Sequence, residues 1–467
     1  MSDTRSLPAL TVQDVLRATN GALVGGDLGV PVHGVSIDSR TIGVGEAFFA
    51  IRGHRLDGHA FIGEAIGRGA ACLVVHTLPD DLAAHLPVVL VEDTTKALGR
   101  LAAWHRQRFT VPVIGVTGSN GKTTTKEMIA SVLGTRSRVL SASGSLNNQW
   151  GLPLTLLALA PAHQAVVLEM GTNRPGDIQY LAGIAAPTIA VVTTVSPAHT
   201  EALGSLDGIV AEKGALVRAV PAAGRVVLNA DDPRVASMAH VAAAPVVTYG
   251  RSASAQVRAV GPIADDAGGV RFTLDVDGDA CPVRLAFAGA HNVTNALAAA
   301  AVGHALDLPL AEIVRGLAAA RPVKGRCVWR DAGPVRILDD TYNANPASVR
   351  AALETVLAAR GDGRALVALG DMLELGEMAV EAHREIGRVI AAAGVAEFVG
   401  LGRLAGEAVS AAREAGLAAA LPTSTFEATV AHLLKRLAPG DVLLVKGSRG
   451  MRMERVVDAL IARLRRE

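Results

Sequence analysis

A glycine-rich segment, GVTGSNGKTTTKEM at residues 115–128, constrains this chain most, because an apolar strand leads into a tight turn and Lys-Thr then opens a helix. Backbone N–H groups of such a turn point inward and the helix N-terminus is positive, so phosphate oxygens bind there. The lysine then contacts the β and γ phosphates, and the following threonine ligates Mg2+. Val116 stands where GxxxxGK[ST] has its first glycine. The predicted phosphate loop consists of Gly118, Ser119, Asn120, Gly121, Lys122, Thr123 and Thr124.

The pattern around this loop is typical of an α/β protein. Apolar runs at 166–170, 188–195 and 225–229 alternate with helical stretches, which favours a parallel sheet covered on both faces. Two-residue alternation over 256–288 predicts an antiparallel insertion, and an Ala-rich helix is expected over 291–306. At about 150 residues per domain, the length predicts about three domains. We place them at 1–92, 93–320 and 321–467.

Composition limits the function classes and the compartment. Lys plus Arg number 45 and Asp plus Glu 44, and this balance, with 3% aromatic residues, argues against a nucleic-acid partner. Cys72, Cys281 and Cys327 are scattered, which fits a reducing compartment rather than a disulfide framework or a cysteine zinc site. The first residues lack a signal-peptide pattern, and no window of about 18 residues reads as a membrane span. A cytoplasmic protein is therefore expected.

Several polar side chains stand at or after strand ends, where open α/β sheets bind ligands. Glu169 ends an apolar strand and can help hold Mg2+ near the phosphates, although an acid there is more often a cap or solvated. His199 follows the next strand, and Lys213 lies on the helix after it. Taken alone, a histidine in such a loop is more often a hydrogen-bonding residue than a metal ligand, and a lysine on a helix is usually exposed to solvent. Asn292 and Asn295 share a helix face suited to an adenine edge, but a plain cap explains them better without context.

Two clusters in the last block indicate a ligand site. The segment ILDDTYNANPAS holds more polar groups than a helix cap needs, among them Asp340, Tyr342, Asn343 and Asn345. The segment KGSRG at another strand end suits a carboxylate or a phosphate through Lys446, Ser448 and Arg449. We expect the first cluster to line a cleft that faces Lys122.

Together these motifs resemble the Mur ligase family, ATP-dependent amide ligases that build the peptidoglycan precursor. The resemblance runs from about residue 30 to the C-terminus, with the TGSNGKTT loop, Glu169, His199, Lys213, HNVTN and Asp340 in the family's order and approximate spacing. It implies an α/β fold of three domains. These are an N-terminal UDP-sugar-binding domain (1–92), a central P-loop parallel-sheet ATPase domain (93–320) and a C-terminal Rossmann-like domain (321–467) that closes over the site.

The resemblance implies a role for each site residue. Lys122 and the loop amides bind the ATP phosphates, and Thr123 and Glu169 hold one Mg2+. His199 and Lys213, the lysine carbamylated by CO2, hold a second Mg2+. For the rest of ATP, the resemblance implies that Asn292 and Asn295 contact adenine or ribose. It also implies that Arg326 contacts the γ-phosphate and that Asp340 contacts the ribose. The sugar-nucleotide and peptide contacts implied lie in SIDSR, with Ser39 and Arg40, and in GSLNNQWGLP, with Asn147 and Asn148.

Three segments resemble the branch of the family that joins D-alanyl-D-alanine to UDP-N-acetylmuramoyl-tripeptide: DDTYNANPAS, GDMLELGE and KGSRGMRMERVV. This implies that ATP phosphorylates the tripeptide carboxylate and that the dipeptide amine attacks the acyl phosphate. The expected partners are these two substrates, and the expected state is a monomer. The diaminopimelate-adding branch has a DNPR-type motif, which we do not find. That branch, a folylpolyglutamate synthase, a small-molecule P-loop kinase and a nucleotide switch are the alternatives.

Overall fold

The computed structural model describes residues 10–53, 55–78, 86–142, 144–197, 200–266 and 269–465. Within them lie three larger sheets, of five, nine and six strands, and one two-stranded ribbon. The sheets follow one another along the chain and are mostly parallel, so the predicted α/β class is confirmed. The domain boundaries at 92/93 and 320/321 stay predictions. In the part of the chain that is described, no helix has the length and apolarity needed to cross a membrane.

The first block builds the five-stranded sheet, in the order β2-β7-β6-β5-β4, and the ribbon β1-β3. Its elements are β1 (Leu10–Thr11), α1 (Val12–Thr19), β2 (Ala22–Val24), β3 (Pro31–Val32), β4 (Gly34–Ser36), β5 (Glu46–Phe49), α2 (Ile62–Gly67), β6 (Cys72–Val75) and β7 (Val88–Leu90). Helix α1 begins at a capping box, in which the Thr11 hydroxyl and the Asp14 carboxylate each accept from the other's backbone N–H.

The second block begins with a parallel region whose strands alternate with helices. Its elements are α3 (Thr94–Arg106), β8 (Val113–Thr117), α4 (Lys122–Leu133), β9 (Val139–Ser141), α5 (Gly151–Leu157), β10 (Ala165–Glu169), α6 (Asp177–Ala185), β11 (Ile189–Val192), α7 (Thr200–Leu203), α8 (Leu206–Arg218), β12 (Arg225–Asn229), α9 (Pro233–Ala236) and β13 (Val246–Gly250). Strand β8, which leads into the phosphate loop, lies between β10 and β11. The loop therefore follows an interior strand, the third from the β9 edge.

Three further strands extend the same sheet. They are β14 (Val257–Asp266), β15 (Gly269–Val276) and β16 (Asp279–Leu285), followed by α10 (His291–Ala305) and α11 (Leu310–Ala319). The β14-β15 and β15-β16 pairs are antiparallel, which confirms the insertion predicted over 256–288. The sheet order is β16-β15-β14-β13-β12-β11-β8-β10-β9, so β16 is an edge strand; Pro282 and the exposed Arg284 lie in it.

Two apolar layers bury the faces of the nine-stranded sheet. Helices α4, α10 and α11 cover one face, with Ile129 and Ala299 packed among strand residues such as Val116. Helices α3, α5, α6 and α8 cover the other face, around residues such as Leu168. Both faces of the strands are apolar because both are covered, as in other parallel sheets.

The third block forms the six-stranded sheet, in the order β17-β18-β22-β19-β20-β21. Its elements are β17 (Val328–Ala332), β18 (Val335–Asp340), α12 (Pro346–Ala359), β19 (Ala365–Gly370), α13 (Ala379–Ala392), β20 (Glu397–Leu401), α14 (Arg403–Glu414), β21 (Ala420–Thr423), α15 (Phe426–Arg436), β22 (Val442–Lys446) and α16 (Glu454–Leu464). All pairs except β17-β18 are parallel. Strands β18 and β22 are neighbours, so the two polar clusters that follow them meet.

Candidate active site

A cleft of about 900 Å3 is lined by polar segments that follow strands of the second and third blocks. The segments follow β8, β10, β11, β12, β18, β19 and β22. The predicted site residues along it are Ser119, Asn120, Gly121, Lys122, Thr123, Thr124, Asn147, Asn148, Glu169, Lys213, Asn292, Asn295, Arg326, Asp340, Tyr342, Asn343, Asn345, Lys446, Ser448 and Arg449. The first cluster of the third block thus faces the phosphate loop, as expected.

The phosphate loop has a backbone that glycine alone fits. Gly118 has φ +149° and Gly121 has φ +82°. A Cβ would collide with Thr193 Oγ1 at the first position and with Asn295 Oδ1 at the second. Helix α4 begins at Lys122 without a side-chain cap, so its first N–H groups are left for a ligand. Lys122 Nζ donates to the Gly118 carbonyl at 2.8 Å, which holds the amine over the loop.

A buried hydrogen-bond cluster joins the loop to the end of β10. Thr123 Oγ1 donates to Glu169 Oε2 at 2.7 Å, and Asn147 Nδ2 donates to Glu169 Oε1 at 2.7 Å. Arg326 Nη2, from the third block, donates to Thr123 Oγ1 at 2.9 Å and to Ser145 Oγ at 3.4 Å. Arg326 Nε is buried and has no hydrogen-bond partner among the described residues. A hydroxyl and a carboxylate side by side fit Mg2+, which prefers oxygen ligands.

Lys213 is a buried lysine beside another cation. Its side chain lines the cleft and is only 2% exposed. Burial, and then the charge of Lys122, hold the pKa of Lys213 well below its ordinary value, with Glu212 acting in the other direction. Glu212 accepts from two backbone N–H groups at the start of α6, both at 2.7 Å. His199, its predicted partner, lies outside the described residues, so their relation stays a prediction.

The loop lysine is also less basic than usual. Burial lowers the pKa of Lys122, and the charge of Arg326 lowers it further, whereas Glu169 raises it. The cleft therefore concentrates positive charge from both blocks around one carboxylate. Such a site attracts a polyanion, since bound phosphates would offset this repulsion.

Asp340 and Lys446 form a buried ion pair at the ends of β18 and β22. Their Cα atoms are register partners, and Lys446 Nζ donates to Asp340 Oδ2 at 2.5 Å and to the Asn343 carbonyl at 2.9 Å. Asp340 Oδ1 accepts from the Cys327 backbone N–H at 3.1 Å. Lys446 was expected to meet a substrate, yet its charge is balanced within the protein. Its substrate contact, and the ribose contact of Asp340, stay predictions.

Asn345 connects the third block to the phosphate loop. It is the N-cap of α12: its Oδ1 accepts from the Ser348 N–H at 2.9 Å, and Pro346 follows at the first helical position. Its Nδ2 donates to Asn120 Oδ1 at 2.8 Å. The Asn345 amide thus caps a helix and also donates a hydrogen bond across the cleft.

Tyr342 lies beneath two guanidinium groups. The Cζ atom of Arg326 is 3.9 Å from the centroid of its ring, and that of Arg449 is 5.2 Å away. Both contacts are within the range of cation–π attraction. The ring thus keeps two cations near each other in the cleft.

Three predicted ligands use their polar atoms within the fold. Asn292 Nδ2 donates to the Ala288 carbonyl at 2.6 Å, and its Oδ1 accepts from Asn295 Nδ2 at 2.9 Å. Asn148 Oδ1 accepts from the Gly151 N–H at 2.9 Å and so caps α5. All three line the cleft, and their contacts with nucleotide or substrate stay predictions.

Ser448 is also tied into the protein. Its Oγ accepts from the Leu373 N–H at 2.8 Å and donates to the Ala344 carbonyl at 3.4 Å. The hydroxyl therefore fixes the segment after β19 against the end of β22.

Ser39 and Arg40 do not line the cleft. The Ser39 hydroxyl donates to Glu64 Oε2 at 2.7 Å. Arg40 donates to both oxygens of Asp38 at 2.9 and 2.7 Å, and these bonds lower the pKa of Asp38 to about 2. Their predicted role toward a UDP-sugar stays a prediction.

Sequence reasoning missed Lys126. It is fully buried on α4, donates to the carbonyls of Ala142 and Gly144, and pairs with Glu127 at 2.9 Å. It thereby anchors the segment that carries Ser145 and Asn147 beside the loop. A second lysine four residues after the loop lysine is one turn along the helix, but only the structure shows that it points inward.

Family models cover most of the chain. The Mur ligase middle domain matches residues 116–303, the glutamate ligase domain of the Mur ligases matches 325–449, and the catalytic domain of the family matches 31–106. The chain belongs to the Mur ligase family. The resemblance of its motifs is thus confirmed over nearly the whole described length.

Individual members of the family are similar over their full length. UDP-N-acetylmuramoyl-tripeptide--D-alanyl-D-alanine ligase of Escherichia coli K12 is 36% identical over 97% of this chain and 98% of its own. A crystal structure of MurF from Acinetobacter baumannii has a TM-score of 0.90 at 32% identity and covers 98% of this chain and 100% of that one. MurF from Thermotoga maritima in complex with ADP has a TM-score of 0.83 at 28% identity, covering 93% and 98%.

Proposed function

We propose that this chain is the ATP-dependent ligase that joins D-alanyl-D-alanine to UDP-N-acetylmuramoyl-tripeptide through an acyl phosphate. One observation carries the proposal: Arg326 of the third block donates to Thr123 of the phosphate loop across the cleft. A phosphoryl group held by the loop would therefore be contacted from both sides. The full-length similarity to ligases of this name supports the choice of substrates.

The first step needs the tripeptide carboxylate to approach ATP despite the repulsion between anions. The loop amides and Lys122 bind the β and γ phosphates, and Arg326 contacts the γ-phosphate through its unpaired Nε. Thr123 and Glu169, together with Lys213 in the carbamylated form proposed below, would hold Mg2+, which offsets negative charge and orients the phosphates when bound. The carboxylate oxygen then attacks the γ-phosphorus, and ADP leaves.

The second step forms the amide. The amine of D-alanyl-D-alanine attacks the acyl carbon, a tetrahedral intermediate forms, and inorganic phosphate leaves. Arg326 and Lys122 offset the charge on the departing phosphate. Asn345 and Arg326 hold the third block against the loop, which excludes water from an acyl phosphate that water would hydrolyse.

We further propose that Lys213 is carbamylated in the active protein. An ammonium beside Lys122 would repel both a metal ion and ATP, whereas a carbamate offers the oxygen ligands that Mg2+ prefers. The neutral amine is the form that reacts with CO2. Burial lowers the pKa of Lys213, so more of the amine is neutral near physiological pH than for an exposed lysine.

The test is phosphate release with each substrate omitted in turn. Release is expected only with ATP, UDP-N-acetylmuramoyl-tripeptide and D-alanyl-D-alanine together, with one amide formed per phosphate. Release with UDP-N-acetylmuramoyl-dipeptide and diaminopimelate, or with a folate and glutamate, would assign one of the alternative ligases. Phosphorylation of a small acceptor without amide formation would indicate a kinase.

A further inference from the structure

Most cations of the third block that reach the cleft already have anionic or polar partners. Lys446 is paired with Asp340, and Arg326 reaches the loop at Thr123. Arg449 differs: it is exposed, it lines the cleft, and within the described residues no carboxylate lies within ion-pair distance of it. Its guanidinium lies over the ring of Tyr342.

Tyr342 limits the distance between the two arginines, because both contact its ring. Their Cζ atoms lie 3.9 and 5.2 Å from the same ring centroid, so they are at most about 9 Å apart. Arg326 marks the phosphoryl end of this span, because it also touches Thr123. Arg449 therefore lies within reach of a short acceptor whose amine is at the reacting centre.

A dipeptide fits within this limit. An extended chain advances about 3.3–3.6 Å per residue, so the amine and carboxylate of a dipeptide are about 7 Å apart, roughly twice the reach of one amino acid. With its amine at the acyl phosphate beside Arg326, a dipeptide would bring its carboxylate to Arg449.

The surroundings of Arg449 suit small apolar side chains. Leu373 is 41% exposed and lines the same rim of the cleft. A Cβ placed on Gly450 would lie 3.1 Å from Leu373 Cδ1, so glycine keeps this rim open. A methyl side chain next to the carboxylate would meet Leu373 there.

We propose that Arg449 binds the C-terminal carboxylate of the acceptor and that Tyr342 positions the Arg449 guanidinium. This rests on the proposed function and names its acceptor subsite. A guanidinium–carboxylate contact predicts that losing either charge costs a factor of about 10 to 100 in acceptor use.

The experiment compares D-alanyl-D-alanine with D-alanyl-D-alaninamide, in the intact chain with ATP, Mg2+ and UDP-N-acetylmuramoyl-tripeptide. Wild type should prefer the dipeptide carboxylate over the amide by about 10- to 100-fold in kcat/KM. Arg449→Gln should raise the KM for the dipeptide and use both dipeptides equally, with the KM for ATP unchanged. Arg452→Gln, an exposed arginine on the same segment that does not line the cleft, should behave as wild type.

Tyr342 provides the second comparison. Tyr342→Phe keeps a ring under the guanidinium and should keep the preference, whereas Tyr342→Ala should lose it. Equal use of the two dipeptides by wild type, or an unchanged preference in Arg449→Gln, would overturn the proposal. Failure of wild type to use D-alanyl-D-alanine, with turnover of another acceptor, would instead overturn the proposed function.

Discussion

Single residues in this cleft combine burial with charge. Lys122 is the clearest case, because its amine is held over a loop that glycine alone can form. Lys122→Ala should lower kcat at least about 100-fold, since it removes a donor aimed at the transferring phosphate. Lys96→Ala, an exposed lysine on α3, is the control. Amide synthesis by the Lys122 variant above a few per cent of wild type would contradict the phosphate-loop assignment.

Lys213 makes stability depend on pH. Its pKa lies below 10.5 in the folded chain, so the unfolded chain binds more protons and stability rises with pH up to about that value. In CO2-depleted buffer, Lys213→Met should therefore raise the melting temperature near neutral pH, and the gain should vanish near pH 10.5. Melting curves of this variant and of Lys96→Met at several pH values check this. A gain in melting temperature that grows with pH would contradict this prediction, because it would mean that the folded chain binds more protons than the unfolded chain.

The same residue gives a chemical test of carbamylation. Lys213→Ala should be nearly inactive, and a short-chain carboxylate in the buffer should restore part of the activity by supplying the missing oxygen ligands. Activity is measured as amide formed against carboxylate concentration, with Lys122→Ala as a variant that the carboxylate should not rescue. Full activity of Lys213→Ala without additive would end the hypothesis.

For single residues, the sequence predicts which side chains line the cleft better than it predicts what those side chains contact. Asp340 and Lys446 both follow apolar strands, so their arrival at the cleft was predictable. Their ion pair was not, because it depends on β18 and β22 being neighbours in a register that joins these two residues. Residues 106 positions apart in the chain leave no local sign of their pairing.

Among the secondary-structure elements, α12 is notable because its N-cap residue also contacts the phosphate loop. Asn345 caps it through Oδ1 and reaches Asn120 through Nδ2, so two variants separate the tasks. Asn345→Asp keeps a capping oxygen but loses the donor, and should lower activity with little change in stability. Asn345→Ala loses both and should also cost about 1 kcal/mol of stability. Denaturant unfolding and turnover of both variants check this; equal stability losses would place the effect in the lost Nδ2 donor and not in the cap.

Element types and starts were largely predictable, because they depend on local chemistry. Asn-Pro with a serine three residues on starts α12, and alternation over 256–288 marks strands β14 to β16. That β14 pairs in parallel with β13, and so extends the main sheet, was not predictable. Pairing between strands is a tertiary property, and the pattern within a strand does not report its neighbour.

Across the whole molecule, ATP should act as a bridge between the second and third blocks. A γ-phosphate on the loop would touch Arg326, whereas ADP lacks this group. Because a ligand stabilises the state it binds, ATP should raise the melting temperature more than ADP in wild type. Arg326→Gln should remove this difference and keep the ADP shift. Thermal shifts with both nucleotides and Mg2+ test it; a retained ATP excess would argue against the bridge.

The contacts between the second and third blocks were the least predictable feature of the structure. The family resemblance implied a third domain closing over the site, but nothing in the sequence specifies that Arg326 reaches Thr123 or that Asn345 reaches Asn120. Such contacts depend on the relative placement of two separately built sheets, and inter-domain interfaces are more polar and less constrained than cores.

The edges of the nine-stranded sheet affect how the protein behaves when it is concentrated. An open, flat edge strand invites pairing with another molecule and leads to aggregation. Strand β9 is only three residues long, and β16 carries Pro282, which has no N–H to offer, and an outward-facing charge at Arg284. A sheet this wide would otherwise be a hazard during synthesis, so these edges help keep freshly made chains apart until their cores are complete.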